Sequence, residues 1–227
     1  MQGCNPILMV APGAIAPCGL PMILFDFDGT LVDSMELCVK EIEETYKAMD
    51  LPVPPRAMLE KCNGPTIEQA AEILGLPKHL HLDYVRIRNG LQMTLMASCQ
   101  KIYPGIVNML KALSTCACMC IVSNGGQEYI DKSVDNWGIR HYFLKALGGR
   151  PGFTKAQVIA ELLRELNPIR TVMVGDRLTD IQAGRENGLY TIAAAYGFGS
   201  PEEWREADRK ADTVDELFNL CLQFCGR

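Results

Sequence analysis

The chain lacks a basic surplus. Its 227 residues carry 22 Lys and Arg against 27 Asp and Glu, a formal net charge of −5. That argues against an electrostatic grip on nucleic acid or an anionic membrane, since both need basic surface. A small phosphorylated ligand stays open, because one metal ion or lysine reverses the sign of a single pocket. No Lys or Arg precedes Lys40, so a signal peptide with its positive first segment is not expected. Long unbroken apolar runs are missing too. "NPILMVAPGAIAPCGLP" is interrupted by Pro and Gly and is too short for a membrane helix. Residues 1–21 are therefore expected to be a loose N-terminal extension, with the patterned domain starting at Met22. The ten cysteines lack the paired C-x-x-C spacing of zinc sites. Scattered through a chain of this length, they fit a reduced, cytoplasmic protein better than a disulfide-built one. Cys116, Cys118 and Cys120 alternate, so a strand would point all three to one face as small buried hydrophobes. Cys221 and Cys225, one helical turn apart, are read the same way. Repeats and low-complexity tracts are absent.

What is present suits a globular protein. Hydrophobic residues make up 48% and charged residues 22%, enough apolar material for a proper core. Met22 to Asp26 reads as a buried strand. A helix follows over about Ser34 to Met49, with Ser34 as its cap, and "LPVPPR" stops it. Arg56 to Ser98 carries helical patterning without a convincing strand. From "YPG" at Tyr103 strands and helices alternate: "CACMCIVS", a helix over Glu128 to Trp137, a strand near Phe143 to Leu147, a helix over Lys155 to Leu166, "TVMVGD", "DIQAGRENG", "YTIAAAYG", and a last helix over Val214 to Cys225. Alternation of this kind implies a parallel sheet with helices on both faces, and in such sheets ligands bind beyond the C-terminal strand ends.

The strand ends carry the chemistry. "ILFDFDGTLVDS" places Asp26 at the end of an apolar strand and Asp28 two residues on. Another strand ends in Ser123, followed by Asn124. A third ends in Gly175 and Asp176, with Asp180 four residues later, and Lys155 opens the helix before it. Singly, each has a plain explanation. An aspartate after a strand is often a turn former or a cap, and a lysine in a first helical turn is usually solvated, although the helix dipole disfavours it there. Together they put four carboxylates, a hydroxyl and an amine on one edge. Clustered carboxylates need a cation, and hard oxygen ligands favour Mg²⁺. One carboxylate is then available as a nucleophile and its neighbour as general acid and base. Gly29 allows the tight turn between them. Ser123 and Lys155 would stabilise charge on phosphoryl oxygens.

"DFDGTLVDS", "SNG", Lys155 and "GDRLTD" resemble, in order, the four motifs of the haloacid dehalogenase superfamily, over most of residues 22–227. The resemblance implies Asp26 as nucleophile and Asp28 as general acid/base. It implies Mg²⁺ held by Asp26, the backbone carbonyl of Asp28, and Asp176, with Asp180 in support. Ser123, Lys155, Thr30 and the Asn124 backbone would contact the phosphoryl group. The implied fold is α/β: a Rossmann-like parallel sheet core, residues 22–32 and 99–227, with an inserted all-helical cap, residues 33–98. Asp28 and Thr30 are similar to the phosphatase form of the first motif, and the whole is most similar to phosphoglycolate phosphatase-like members, although a Lys-Pro pair is replaced by "TKAQ" around Lys155. The expected activity is Mg²⁺-dependent hydrolysis of a small phosphorylated metabolite, with 2-phosphoglycolate one candidate, by a monomer or homodimer free of nucleic acid and membrane. The alternatives are a phosphomutase or pyrophosphatase of the same fold, or a non-catalytic phosphate-binding module. The loop Asn63 to Thr66 either enters the site or is a plain turn between helices.

Overall fold

The computed structural model describes residues 19–226. Most of the expected extension therefore lies outside the described residues. Along the chain the elements are β1 (Met22–Phe25), β2 (Val32–Asp33), α1 (Met35–Ala48), α2 (Arg56–Leu59), α3 (Ile67–Ile73), α4 (His81–Cys99), β3 (Lys101–Ile102), α5 (Ile106–Leu113), β4 (Cys118–Gly126), α6 (Gln127–Asn136), β5 (Lys145–Gly149), α7 (Lys155–Leu166), β6 (Thr171–Gly175), α8 (Leu178–Glu186), β7 (Tyr190–Ala194), β8 (Arg209–Ala211) and α9 (Val214–Cys225). Six strands form one parallel sheet in the order β5-β4-β1-β6-β7-β8. This is the expected α/β, Rossmann-like fold.

The apolar strands are buried on both faces because side chains alternate along them. Ile23 and Phe25 of β1, Met119 and Ile121 of β4, and Val172 and Val174 of β6 join one core with α5, α6 and α9. Met22, Leu24, Cys120, Val122 and Met173 point the other way, against α7 and α8. The chain goes from β1 to β4 on one side and returns to β6 on the other. The crevice at such a reversal is where α/β sheets bind ligands, and β1 is its centre.

Between β2 and β3 the chain is helical, as expected. Apolar positions Cys38, Ile42 and Tyr46 on α1, spaced by four, share a separate core with Leu59, Ala70, Ala71 and Tyr84. The two ends of this block are tied by the antiparallel pair of β2 with β3, Val32 opposite Ile102. Thr66 caps α3 through a reciprocal pair with Gln69, so the preceding "NGP" is held as a fixed turn.

Three local expectations are corrected. Ser34 precedes α1 but makes no side-chain cap; the Met35 amide donates to Asp33 instead. The cysteines do not share a face, because β4 begins only at Cys118. Cys116 lies in the turn before it and packs into one core, whereas Cys120 packs into the other. Nor are the cysteines uniformly reduced: Cys118 is disulfide-bonded, while Cys38, Cys62, Cys99, Cys116, Cys120 and Cys221 are free thiols. Among the described residues, no helix is long and apolar enough to cross a membrane.

Candidate active site

Asp26 follows directly on β1, and its amide donates to Val174 of β6 at 2.8 Å, so the strand fixes its position. The backbone then turns sharply. Leu31 and Val32 amides both donate to the Phe27 carbonyl, and Gly29 adopts φ 78°. A Cβ at Gly29 would collide with the Asp176 carboxylate. Glycine is required there twice, for its positive φ and for the close approach.

Asp26, Asp176 and Asp180 are all buried, and each offers a carboxylate oxygen within 4.8 Å of the others. Lys155 Nζ donates to Asp26 at 2.9 Å and to Asp180 at 2.5 Å. That double contact explains a lysine in the first turn of α7. The carboxylates outweigh the helix dipole, and Thr154 and Gln157 close a capping box around it. The second oxygen of Asp180 accepts from the Arg177 amide at 2.9 Å, so Asp180 braces the start of α8 as well as the lysine. Asp176 accepts from the Phe198 amide at 2.8 Å and from the Thr30 hydroxyl at 3.3 Å.

Burial dominates the electrostatics. It pushes the Asp26 carboxyl up to about 7, with Asp180 adding repulsion and Lys155 opposing both. Asp176 is raised well above the carboxylate range by burial, then by Asp26 and Asp180. For Lys155, burial opposes the charged form, yet the charges of Asp180 and Asp26 win and raise it. The cluster thus holds three carboxylates against one ammonium.

Asp28 stands apart from that cluster. Its carboxylate accepts from the Tyr129 hydroxyl at 2.6 Å. Burial raises its pKa, while hydrogen bonds from Ser34 and Tyr129 pull it down. Ser123 and Asn124 lie in β4 at the same edge, and the Gly125 amide donates to the Ser123 hydroxyl at 3.0 Å. Thr30, expected at a phosphoryl group, has its hydroxyl on Asp176 at 3.3 Å.

A narrow chamber of about 50 Å³ lies against Asp26, Asp28 and Ser123. Its far wall comes from the helical block: Cys38, Glu41, Cys62, Arg88, and Asn63, Gly64 and Pro65 of the loop. The loop reaches the site. The Asn124 side-chain amide donates to the Gly64 carbonyl at 3.0 Å, and Arg177 donates to the Asn63 carbonyl. Several residues here carry no sequence signature. Tyr129 meets Asp28 from 101 residues away, and Trp204 donates from its indole to the Asp176 carbonyl at 2.6 Å. The aromatic at 129, one turn into a helix after "SNGG", is the only local hint.

A family model for haloacid dehalogenase-like hydrolases matches residues 23–194. The chain belongs to the haloacid dehalogenase-like hydrolase family. Over 211 residues it is 30% identical to a phosphoglycolate phosphatase of Synechococcus elongatus, covering 88% of this chain and 97% of that one. It is 27% identical to the tyrosine-protein kinase PtkA of Mycobacterium tuberculosis, over 86% of this chain and 70% of that one. Among solved structures it superposes on a predicted phosphatase from Clostridium acetobutylicum with a TM-score of 0.81 at 26% identity, covering 90% of this chain and 99% of that one. Within this haloacid dehalogenase-like family, the four motifs recognised in the sequence fall at one edge of the sheet.

Proposed function

We propose that this haloacid dehalogenase-family phosphatase hydrolyses small organic phosphate monoesters with Mg²⁺, through a phosphoaspartyl intermediate on Asp26. The observation that carries the reading is the convergence of three buried carboxylates on a point served by one lysine. Buried charges of one sign are costly unless a cation balances them. An all-oxygen donor set suits a hard divalent ion. Asp26 and Asp176 would hold it with the Asp28 carbonyl, and Asp180 would support them. Bound there, Mg²⁺ would lower the carboxylate pKa values and offset charge on the phosphoryl oxygens.

In this reading Asp26 attacks phosphorus and the bond to the leaving oxygen breaks. Asp28 in its protonated form gives its proton to the leaving alkoxide. The ionised Asp28 then takes a proton from the water that attacks the phosphoaspartate, releasing phosphate and restoring Asp26. Lys155 and Ser123 bind the phosphoryl oxygens, and Lys155 also holds Asp26 in place. The helical block, residues 33–98, acts as a cap that excludes water.

A panel of phosphate esters that includes p-nitrophenyl phosphate and 2-phosphoglycolate tests this, with and without Mg²⁺. Hydrolysis should require Mg²⁺, and Asp26→Asn should abolish it. Full activity in that variant, without deamidation to Asp, would remove Asp26 as nucleophile. Isomerised sugar phosphate with little free phosphate would mark a mutase, and binding without hydrolysis across the panel a non-catalytic module.

A further inference from the structure

One feature of the chamber is not used by the phosphoryl chemistry. Glu41 and Arg88 face each other on its far wall, 1% and 4% exposed. Arg88 donates to Glu41 Oε1 at 2.8 Å from Nε, and its Nη2 lies 2.6 Å from the same oxygen. Its Nη1 donates to the Tyr84 hydroxyl at 3.0 Å and its Nη2 to the Cys38 sulfur at 3.4 Å, so each of the three guanidinium nitrogens has a partner within the block. Glu41 Oε2, by contrast, is buried without a hydrogen-bond partner, and it is the only such side-chain oxygen among the described residues. Gln92 stands close enough to pull the Glu41 pKa down slightly, without a hydrogen bond of normal geometry. Buried polar atoms are normally satisfied, and an orphan calls for an explanation.

We infer that Glu41 is a specificity-determining residue, whose free oxygen accepts a hydrogen bond from a hydroxyl or ammonium group on the organic part of the substrate. This rests on the phosphohydrolase reading and narrows it. Burial pushes the Glu41 carboxyl up to about 7, with Arg88 opposing it; in its ionised form, paired with Arg88, Oε2 is an acceptor only. Asp28 also lines the chamber, and its negative charge acts on Glu41 in the direction that favours protonation. Arg88 is the one cationic side chain among the described lining residues, and it cannot turn to a substrate carboxylate without stranding Glu41. The wall therefore favours a donor and disfavours an anion. The narrowness of the chamber limits the organic part to a short fragment. The substrate class is a small phosphorylated alcohol bearing a hydroxyl or ammonium, and phosphorylated carboxylic acids are disfavoured.

The test compares kcat/KM for four esters with Mg²⁺: phosphoethanolamine and glycerol 3-phosphate as donors, 2-phosphoglycolate as the anion, and ethyl phosphate as the bare reference. A hydrogen bond to a charged acceptor corresponds to about tenfold or more. Both donor esters should exceed ethyl phosphate by that factor, and 2-phosphoglycolate should fall below it. In Glu41→Gln the ratio of phosphoethanolamine to ethyl phosphate should drop about tenfold. The paired variant Glu41→Leu with Arg88→Leu, which strands no buried charge, should lose the preference altogether. Similar rates for all four esters, a lead for 2-phosphoglycolate, or ratios unmoved by both variants would overturn the inference and leave the phosphohydrolase reading standing. Absence of Mg²⁺-dependent hydrolysis for every ester would overturn both.

Discussion

Replacing Lys155 with Met keeps the length of the side chain and removes its charge. The Lys155 side chain is 5% exposed, and its ammonium bridges Asp26 and Asp180. Without it, the two carboxylates lose a shared donor in a site where burial has already raised Asp26 to about 7. Removing one partner of a buried ion pair costs about 3–5 kcal/mol. At roughly 2–4 °C per kcal/mol for a chain of this size, Tm should fall by about 6–20 °C. Part of the loss is relieved by protonation, so the deficit should be larger at pH 8 than at pH 5.5. Mg²⁺ supplies positive charge to the same carboxylates and should raise the Tm of Lys155→Met more than that of the wild type. Loss of a preorganised donor to the phosphoryl group should also cost about 10²–10³ in kcat. Differential scanning calorimetry at both pH values, with Mg²⁺ or EDTA, reads the stability part. A variant as stable as the wild type in EDTA at pH 8 would refute the claim that this lysine balances the cluster.

Three further outcomes follow from the same geometry. Gly29→Ala should displace Asp176 and strain a backbone at φ 78°, lowering kcat about 10²-fold or more, as misplacement by 1 Å can, while near-native circular dichroism persists. Tyr129→Phe removes a hydrogen bond that favours ionised Asp28, so the Asp28 pKa rises and the alkaline limb of the kcat/KM profile should move to higher pH; an unmoved limb would separate Asp28 from that proton. The folded pKa of Asp26, about 7 against an ordinary 3.8, makes the cation-free fold hold a proton that the unfolded chain releases. Stability in EDTA should therefore be full below about pH 4 and decline as pH rises towards 7, and urea titrations with Mg²⁺ should show a shallower slope.

Much of this was legible along the chain because the signals are local. Apolar runs ending in Asp26, Ser123 and Asp176 give the strands, and α7 and α9 begin and end where their patterning does. The edge strand β8 was not legible: Arg209, Lys210 and Ala211 form it with two exposed residues, and nothing apolar marks it. The two-residue strands β2 and β3 are too short to leave a period. Thr154-x-x-Gln157 and Thr66-x-x-Gln69 are capping signatures that could have been read. At the site, residues inside motifs were legible, whereas partners brought by tertiary packing were not. Tyr129, Trp204 and the Glu41–Arg88 pair depend on chain segments meeting across 28 to 101 residues. The contact of the Thr30 hydroxyl with Asp176, 146 residues away, likewise has no local signal.

The phosphoaspartate on Asp26 is tested most directly in Asp28→Asn with p-nitrophenyl phosphate. That leaving group needs no acid, so Asp26 should still be phosphorylated, but no base remains to activate water against the intermediate. Rapid mixing should give a burst of p-nitrophenolate near one equivalent per active site, and peptide mapping after acid quench should place the phosphate on Asp26. Steady turnover without a burst, or phosphate on another residue, would contradict the account.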